Sequence, residues 1–150
     1  MNLPFNIVLV DDDKDDHFLF AKALGEISPF LNFTAIGDGE KLMHFLSENI
    51  KKLPDVVFLD LNMPRKKGSD CLTEIKQNKK LKRLPIVIYS TSFHKDILDL
   101  LYIYGASYCI RKPTDPVELK EVIHAALLGI VENKGVQPPR ASFLLGLVEV

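Results

Sequence analysis

Residues 54–64 read PDVVFLDLNMP, an apolar run that leads into a carboxylate and then a turn. The segment Val56–Leu59 is continuously apolar, which is typical of a strand covered on both faces of a parallel sheet. Asp60 follows directly, and Pro64 marks a loop. This stretch therefore predicts a short buried strand that presents a polar side chain at its carboxyl end.

Five apolar, β-rich runs of this kind alternate with segments of helical spacing. The predicted strands are residues 6–10, 31–36, 56–60, 86–90 and 107–111. The last helix has the clearest pattern, because the apolar side chains of residues 119–130 form one stripe. Asp115 and Pro116 predict its N-cap and its first position. Strict alternation of strand and helix predicts an α/β fold, with a doubly wound parallel sheet and helices on both faces.

The composition is that of one globular domain. The chain has 150 residues, of which 47% are hydrophobic and 26% are charged, and its formal net charge is -1. These values argue against a disordered chain and against wholesale nucleic-acid binding. No apolar run is long enough for a membrane span, and the N-terminus lacks the features of a signal peptide. Cys71 and Cys109 form no metal or disulfide pattern, so we expect two buried thiols in a reducing cytoplasm.

Polar side chains follow four of the five predicted strands. They are Asp11, Asp12, Asp13, Asp15 and Asp16 after the first strand, Asp60 at the end of the third, Ser90 and Thr91 at the end of the fourth, and Lys112 at the end of the fifth. Ligands of open parallel α/β sheets bind beyond the carboxyl ends of the strands. We therefore expect the carboxylates, the hydroxyl and the ammonium to converge on one edge of the sheet.

This combination of side chains suits phosphoryl transfer. Clustered carboxylates repel one another unless a cation is present, and oxygen ligands of this kind suit Mg²⁺. A lysine and a hydroxyl can bind a phosphoryl group, and an ionised aspartate can accept one. Taken alone, the acidic run 11–16 is most often a solvated helix start. It is not a calcium-binding loop, because Asp16 and Lys22 stand where that loop requires glycine and glutamate.

The sequence resembles the receiver domain of two-component response regulators, the CheY-like family, over about residues 4–130. The matching segments are residues 7–13, 54–64 with Gly68, 85–92, and 105–107 leading to Lys112 and Pro113. The resemblance implies a flavodoxin-like fold, in which a five-stranded parallel sheet of order 2-1-3-4-5 is covered by five helices. It also implies a cytoplasmic signalling protein rather than an enzyme.

The resemblance implies a role for each residue at the sheet edge. Asp60 would accept the phosphoryl group from a histidine kinase or a histidine phosphotransfer protein. The Mg²⁺ ligands would be Asp11, Asp12, Asp60 and the main-chain carbonyl of Asn62. The phosphoryl-binding and switch residues would be Ser90, Thr91 and Lys112. Pro113 would follow a cis peptide bond, a form that is essentially confined to proline.

Two features depart from the family pattern. The family usually has an aromatic switch residue three positions before the lysine, where this chain has Cys109. Its neighbour Tyr108 would face the opposite side of a strand, so it cannot simply take over that role. The loop after the acceptor, residues 64–68, is unusually basic, and we interpret it either as a partner-recognition loop or as a solvated loop.

Residues 131–150 form a tail beyond the receiver segment, and the tail is too short for a DNA-binding unit of packed helices. We therefore expect a stand-alone receiver that offers a changed surface to an unidentified protein target or to the kinase pathway. The tail carries apolar residues near its end, namely Phe143, Leu144, Leu145, Leu147 and Val148. We interpret it either as a frayed terminus or as a segment that docks, on its own domain or across a homodimer.

Two other functions compete with the phosphorylated switch. A haloacid-dehalogenase-like phosphatase also uses an aspartyl phosphate and Mg²⁺, but it requires a second carboxylate two positions after the first, where this chain has Asn62. A degenerate receiver could instead serve as a constitutive scaffold, although every acceptor-site residue is present. Within the switch interpretation, the sequence does not distinguish an effector from a phosphorelay shuttle.

Overall fold

The computed structural model describes residues 5–146, in which strands alternate with helices along the chain. The strands are β1 (Phe5–Val10), β2 (Leu31–Ile36), β3 (Val56–Leu59), β4 (Ile86–Ser90), β5 (Tyr108–Arg111) and β6 (Leu144–Leu145). The α-helices are α1 (Lys14–Ile27), α2 (Gly39–Glu48), α3 (Gly68–Gln77), α4 (Lys95–Ile103) and α5 (Pro116–Glu132). One turn of 3₁₀ helix, Arg140–Ser142, precedes β6.

The six strands form one parallel sheet of order 2-1-3-4-5-6. The first five strands have the predicted order. Helices α1 and α5 cover one face of the sheet, while α2, α3 and α4 cover the other. Strands β3 and β4 are buried along their whole length, which explains why their sequences are continuously apolar rather than alternating.

Aromatic contacts hold α1 against the sheet. The ring of Phe20 lies edge-on to that of Phe58, with 4.9 Å between the centroids, and 5.5 Å from that of Tyr89. Edge-on pairs of this kind are favourable because the positive ring edge meets the negative ring face. These contacts fix α1 over β3 and β4, and so position the acidic segment that links β1 to α1.

Helix α5 begins at the predicted residues. Asp115 accepts a hydrogen bond from the main-chain N–H of Val117 at 3.2 Å, and Pro116 is the first residue of the helix. The predicted stripe is buried and consists of Leu119, Val122, Ile123, Ala126, Leu127 and Ile130. Within residues 5–146, no helix combines the length and the apolar character needed to cross a membrane.

The sixth strand is where the fold differs from the predicted five-stranded sheet. Leu144 and Leu145 pair in parallel with Cys109 and Ile110 of β5. The main-chain N–H of Cys109 donates to the carbonyl oxygen of Phe143 at 2.9 Å. The structure thus adds one two-residue strand to the predicted five, and the tail supplies the hydrogen bonds that the edge of β5 would otherwise lack.

The segment between α5 and β6 is held against α4. The side-chain amide of Gln137 donates to the carbonyl oxygen of Tyr102 at 2.8 Å, and the Tyr102 hydroxyl donates to the carbonyl oxygen of Pro138 at 2.6 Å. Phe143 is fully buried, with its ring 5.3 Å from that of Tyr102. The tail therefore packs on its own domain as far as β6. Two residues of the predicted docking segment lie outside the described residues, Leu147 and Val148.

Candidate functional site

Three strand ends bring opposite charges together at one edge of the sheet. Lys112, which follows β5, places its Nζ 2.6 Å from Oδ2 of Asp11 and 3.4 Å from Oδ2 of Asp60. Asp11 follows β1 and Asp60 follows β3, and both are buried. The structure thus brings these three predicted site residues into direct contact.

A fourth residue, Asp16, belongs to the same cluster, although its position in the acidic run predicts no separate role for it. Its Oδ2 lies 2.9 Å from Nζ of Lys112. Asp13 caps α1 by accepting a hydrogen bond from the N–H of Asp15 at 2.9 Å, so Asp16 lies in the first turn of the helix. Its contact with Lys112 depends on where α1 lies over the sheet, which the spacing of the acidic residues does not report.

Three carboxylates at the site have the arrangement of a divalent-metal site. One oxygen from each of Asp11, Asp12 and Asp60 lies within 4.8 Å of the others. Carboxylate oxygens are the ligands that hard divalent cations prefer. Asp12 is exposed, so an ion held here would keep part of its water shell. The residues present therefore fit Mg²⁺ or a similar cation.

Burial affects the two central charges differently. It raises the pKa of Asp11 to about 6, although hydrogen bonds from Lys112 and from the N–H of Asp13 act in the opposite direction. Burial also tends to lower the pKa of Lys112, but its hydrogen bonds to Asp11 and Asp16 outweigh this and raise the pKa above the ordinary value. Lys112 therefore stays a cation at neutral pH, whereas Asp11 protonates more readily than an exposed aspartate.

The loop after β3 orients the side chain of Asp60. The main-chain N–H of Asp60 donates to the carbonyl oxygen of Val10 at 3.0 Å, and Oδ1 of Asp60 accepts from the N–H of Asn62 at 3.1 Å. Gly68 begins α3 against this loop, and a Cβ there would lie 2.0 Å from the carbonyl oxygen of Asp60. Only glycine fits at that position. The metal-binding role of the Asn62 carbonyl stays a prediction.

Ser90 is fully buried at the end of β4, and Thr91 beside it is exposed. The Ser90 hydroxyl donates to the carbonyl oxygen of Ser92 and accepts from Nδ2 of Asn62, both at 3.4 Å. These hydrogen bonds are long, so a stronger acceptor can displace them. The switch roles of Ser90 and Thr91 stay predictions.

Two predictions concerning β5 have different outcomes. No peptide bond within residues 5–146 is cis, so the predicted cis bond before Pro113 is wrong. The trans form is favoured by about 0.5–1 kcal/mol for such bonds, and Lys112 reaches its carboxylates with this bond trans. The opposite orientation of Tyr108 and Cys109 is confirmed, because Tyr108 packs with the α5 residues and Cys109 packs with those of α4.

The basic loop after the acceptor is tied to neighbouring elements. Nη1 of Arg65 donates to Oδ2 of Asp38 at 2.9 Å, and Lys66 pairs with Glu74 of α3. Asp38 is buried and also caps α2, since it accepts from the N–H of Lys41 at 2.8 Å. Arg65 and Lys66 of the loop are therefore ion-paired, while Arg65 and Lys67 are exposed to solvent, and the two interpretations of the loop stay predictions.

The chain matches the family model described as the response regulator receiver domain over residues 7–124. It belongs to that family. Response regulator Rcp1 of Synechocystis sp. is 39% identical over 100 residues, which cover 63% of this chain and 67% of Rcp1. The phosphorylated cyanobacterial phytochrome response regulator RcpA aligns with a TM-score of 0.76 and 30% identity, covering 86% of this chain and 95% of RcpA. The Mn²⁺-bound form of Rcp1 aligns with a TM-score of 0.71 and 32% identity, covering 85% and 91%.

Membership of this family accounts for both the sheet and the position of the charged cluster. The fold is the flavodoxin-like receiver fold, and the chain is a receiver of two-component signalling. The charged residues lie at the carboxyl ends of β1, β3 and β5, where parallel α/β sheets bind their ligands.

Proposed function

We propose that this receiver accepts a phosphoryl group on Asp60 and thereby changes a protein-binding surface. The donor is a histidine kinase or a histidine phosphotransfer protein, the phosphodonors of the family to which the chain belongs. The observation that supports the proposal best is the largely buried ammonium of Lys112, 3.4 Å from an oxygen of Asp60. A cation at this distance can stabilise the negative charge of a transferred phosphoryl group.

In the proposed step, an oxygen of the Asp60 carboxylate attacks the phosphorus atom of a phosphorylated histidine. The new P–O bond forms as the P–N bond breaks, and the electron pair of the P–N bond returns to the imidazole nitrogen of the donor. Lys112 then binds one phosphoryl oxygen. The Ser90 hydroxyl leaves its long hydrogen bond to Ser92 and donates to another phosphoryl oxygen.

We assign Mg²⁺ as the metal, held by Asp11, Asp12, Asp60 and the carbonyl of Asn62. A bound divalent cation neutralises negative charge on the transferring group. The spacing of the three carboxylates supports this assignment, and the related Rcp1 has a Mn²⁺-bound form. An exposed ligand such as Asp12 suits Mg²⁺, which dehydrates reluctantly and usually keeps several waters.

A cavity of about 680 Å³ gives the donor room to approach. It lies between the loops after β3 and β4, directly beside the residues that follow Asp60, and is lined in part by Asn62, Met63, Lys67 and His94. An imidazole ring is small relative to this volume. The exposed Lys67 places a positive charge at the rim, which favours an anionic phosphoryl group.

The surface that changes is assigned to α4, β5 and α5. Ser90 and Lys112 stand at the ends of β4 and β5, so a movement of the loop after β4 reaches the start of α4. Strand β6 covers the edge of β5 and is therefore part of the same surface. We propose a cytoplasmic protein as the target, and no catalytic reaction beyond phosphoryl acceptance, whether the receiver is an effector or a phosphorelay shuttle.

A constitutive scaffold is the second candidate function. It is favoured by Cys109, which is fully buried where the family usually has an aromatic switch residue. A phosphatase of the haloacid dehalogenase type is disfavoured, because the side chain two positions after Asp60 is the amide of Asn62, which cannot act as a general acid or base.

Labelling with a small phosphodonor tests the proposal. Incubation with radiolabelled acetyl phosphate and Mg²⁺ should give one acid-stable, base-labile adduct, and Asp60→Asn should abolish it because the amide is not a nucleophile. The matched control is Asp70→Asn, which alters an exposed carboxylate of α3 and should label like the wild type. Full labelling of Asp60→Asn would contradict the assignment of the acceptor. An unlabelled wild type would instead favour the scaffold.

A further inference from the structure

The ammonium of Lys112 is shared among carboxylates from three parts of the fold. Its Nζ lies 2.6 Å from Asp11, 2.9 Å from Asp16 and 3.4 Å from Asp60. A lysine ammonium has three donor hydrogens, so each of them has an acceptor. Asp16 differs from Asp11 and Asp60, because it lies in α1 and is not one of the three carboxylates that fit a divalent metal ion. Metal binding therefore does not explain its contact with the lysine.

We propose that Asp16 is a positioning residue that restrains Lys112 in the unphosphorylated protein and so opposes phosphoryl binding. The inference rests on the proposed function, since Lys112 is the residue expected to bind the phosphoryl group on Asp60. Asp16 acts through Lys112 and is not itself a ligand of the phosphoryl group. Its carboxylate sets how readily the lysine exchanges one partner for another.

The distances indicate which carboxylates hold the lysine. Nζ is closer to Asp16 than to Asp60, so the ammonium is bound mainly by Asp11 and Asp16 before phosphorylation. A phosphoryl oxygen at Asp60 must draw the ammonium away from Asp16 or share it. Phosphorylation also adds negative charge at Asp60, which the charge of Asp16 repels. Competition for the lysine and repulsion of the phosphoryl group therefore act in the same direction.

Burial keeps this interaction from being screened. The side chain of Lys112 is 7% exposed and that of Asp16 is 25% exposed. Ion pairs that are partly buried are weakened less by salt than pairs on the open surface. The ring of Tyr89 lies 5.0 Å from Nζ and blocks one direction of movement. The ammonium is consequently confined between α1 and the sheet edge.

Asp15 provides a matched control within the same helical turn. It is exposed, it stands next to Asp16 in the first turn of α1, and it carries the same charge. Asp15→Asn removes one negative charge without touching the Lys112 cluster. It also removes a favourable interaction with the helix dipole, as Asp16→Asn does. Asp16→Asn is isosteric, so it removes the charge without changing the packing.

Beryllofluoride, a mimic of the phosphoryl group, is the probe. Isothermal titration in saturating Mg²⁺ should show that Asp16→Asn binds it about fivefold more tightly than the wild type, the size expected for loss of a partly exposed ion pair. Asp15→Asn should stay within about twofold of the wild type, and Asp16→Glu should restore wild-type affinity. Damage to the fold would weaken binding, so the expected gain distinguishes restraint from a merely structural role.

Equal or weaker binding by Asp16→Asn would overturn the inference. Equal tightening by Asp15→Asn would also overturn it, because that result would mean a general effect of charge rather than a contact with Lys112. If the wild type binds beryllofluoride and Asp16→Asn binds it equally tightly, only the proposed restraint is refuted. A wild type that does not bind beryllofluoride refutes the proposed function and the restraint together.

Discussion

Two lysines of this receiver are withdrawn from water, and their surroundings differ in one respect. Lys112 at the sheet edge donates to the carboxylates of Asp11, Asp16 and Asp60. Lys76 in α3 donates instead to main-chain carbonyl oxygens, at 2.7 Å to Leu84 and at 3.1 Å to residue 82. One lysine has negatively charged partners and the other has only dipoles.

The pKa values of the two lysines separate accordingly. Burial lowers the pKa of Lys76 to about 8. Burial acts on Lys112 in the same sense, but the hydrogen bonds to Asp11 and Asp16 outweigh it and raise its pKa above the ordinary value. Burial alone therefore brings the pKa of a lysine close to neutral pH, whereas surrounding carboxylates keep the lysine protonated and make it a permanent cation. A permanent cation is what a phosphoryl-binding site requires.

Removal of the Lys112 charge should have the largest effect on stability. Lys112→Met leaves Asp11 and Asp60 buried without a cation, and loss of one partner from a buried ion pair costs about 3–5 kcal/mol. Urea unfolding in the absence of divalent metal, near neutral pH, measures this free energy of unfolding.

The matched control is Lys76→Met in the same helix-and-sheet framework. It removes two hydrogen bonds to carbonyl oxygens, but it also removes the cost of burying a cation near neutral pH and leaves no buried charge behind. Because these two contributions oppose each other, we expect a much smaller change in the free energy of unfolding than for Lys112→Met. Equal losses for Lys112→Met and Lys76→Met would mean that the carboxylates around Lys112 do not depend on its charge.

The titration of Lys76 should have the next largest effect. Its pKa is lower in the folded state than in the unfolded chain, so between about pH 8 and pH 10 the unfolded chain binds more protons. Stability contributed by this group therefore rises with pH over that window, and below about pH 8 the folded state carries the full cost of a buried cation.

The comparison with Lys76→Met isolates this effect, because the other titrating groups are common to both proteins. The free energy of unfolding of the wild type should rise relative to that of Lys76→Met by about 2 kcal/mol between roughly pH 7 and pH 10. Urea unfolding across this range provides the measurement. A constant or falling difference would show that the carbonyl oxygens alone satisfy the ammonium.

Most of the acceptor edge could be predicted because strand ends carry it. Asp11, Asp60 and Lys112 each follow an apolar run directly, and a parallel sheet brings such positions to one edge. Asp16 has no such signature, since it lies in a helix and its contact depends on how α1 crosses back over the sheet. The acidic run alone does not reveal that Asp12 is exposed while Asp16 is largely covered.

The outermost strand beside β5, which is β6, could not be predicted in this way. Strand β6 has two residues, which is too short for any periodicity to appear in the sequence. Its pairing with β5 depends on packing of Phe143 against α4, far away along the chain. The trans bond before Pro113 likewise reflects a small free-energy difference that no local pattern reports.

The smallest expected effect concerns Mg²⁺. Millimolar Mg²⁺ should raise the melting temperature of the wild type, because a cation relieves repulsion among Asp11, Asp12 and Asp60. The rise should be larger in Lys112→Met, by about 2–4 °C, since the carboxylates there lack the competing ammonium. Lys76→Met leaves the site intact and should respond like the wild type, and Asp12→Ala should lose most of the response. If Lys112→Met gained no more than Lys76→Met, lysine and metal would not share these carboxylates, and the contrast between the two lysines would reduce to burial alone.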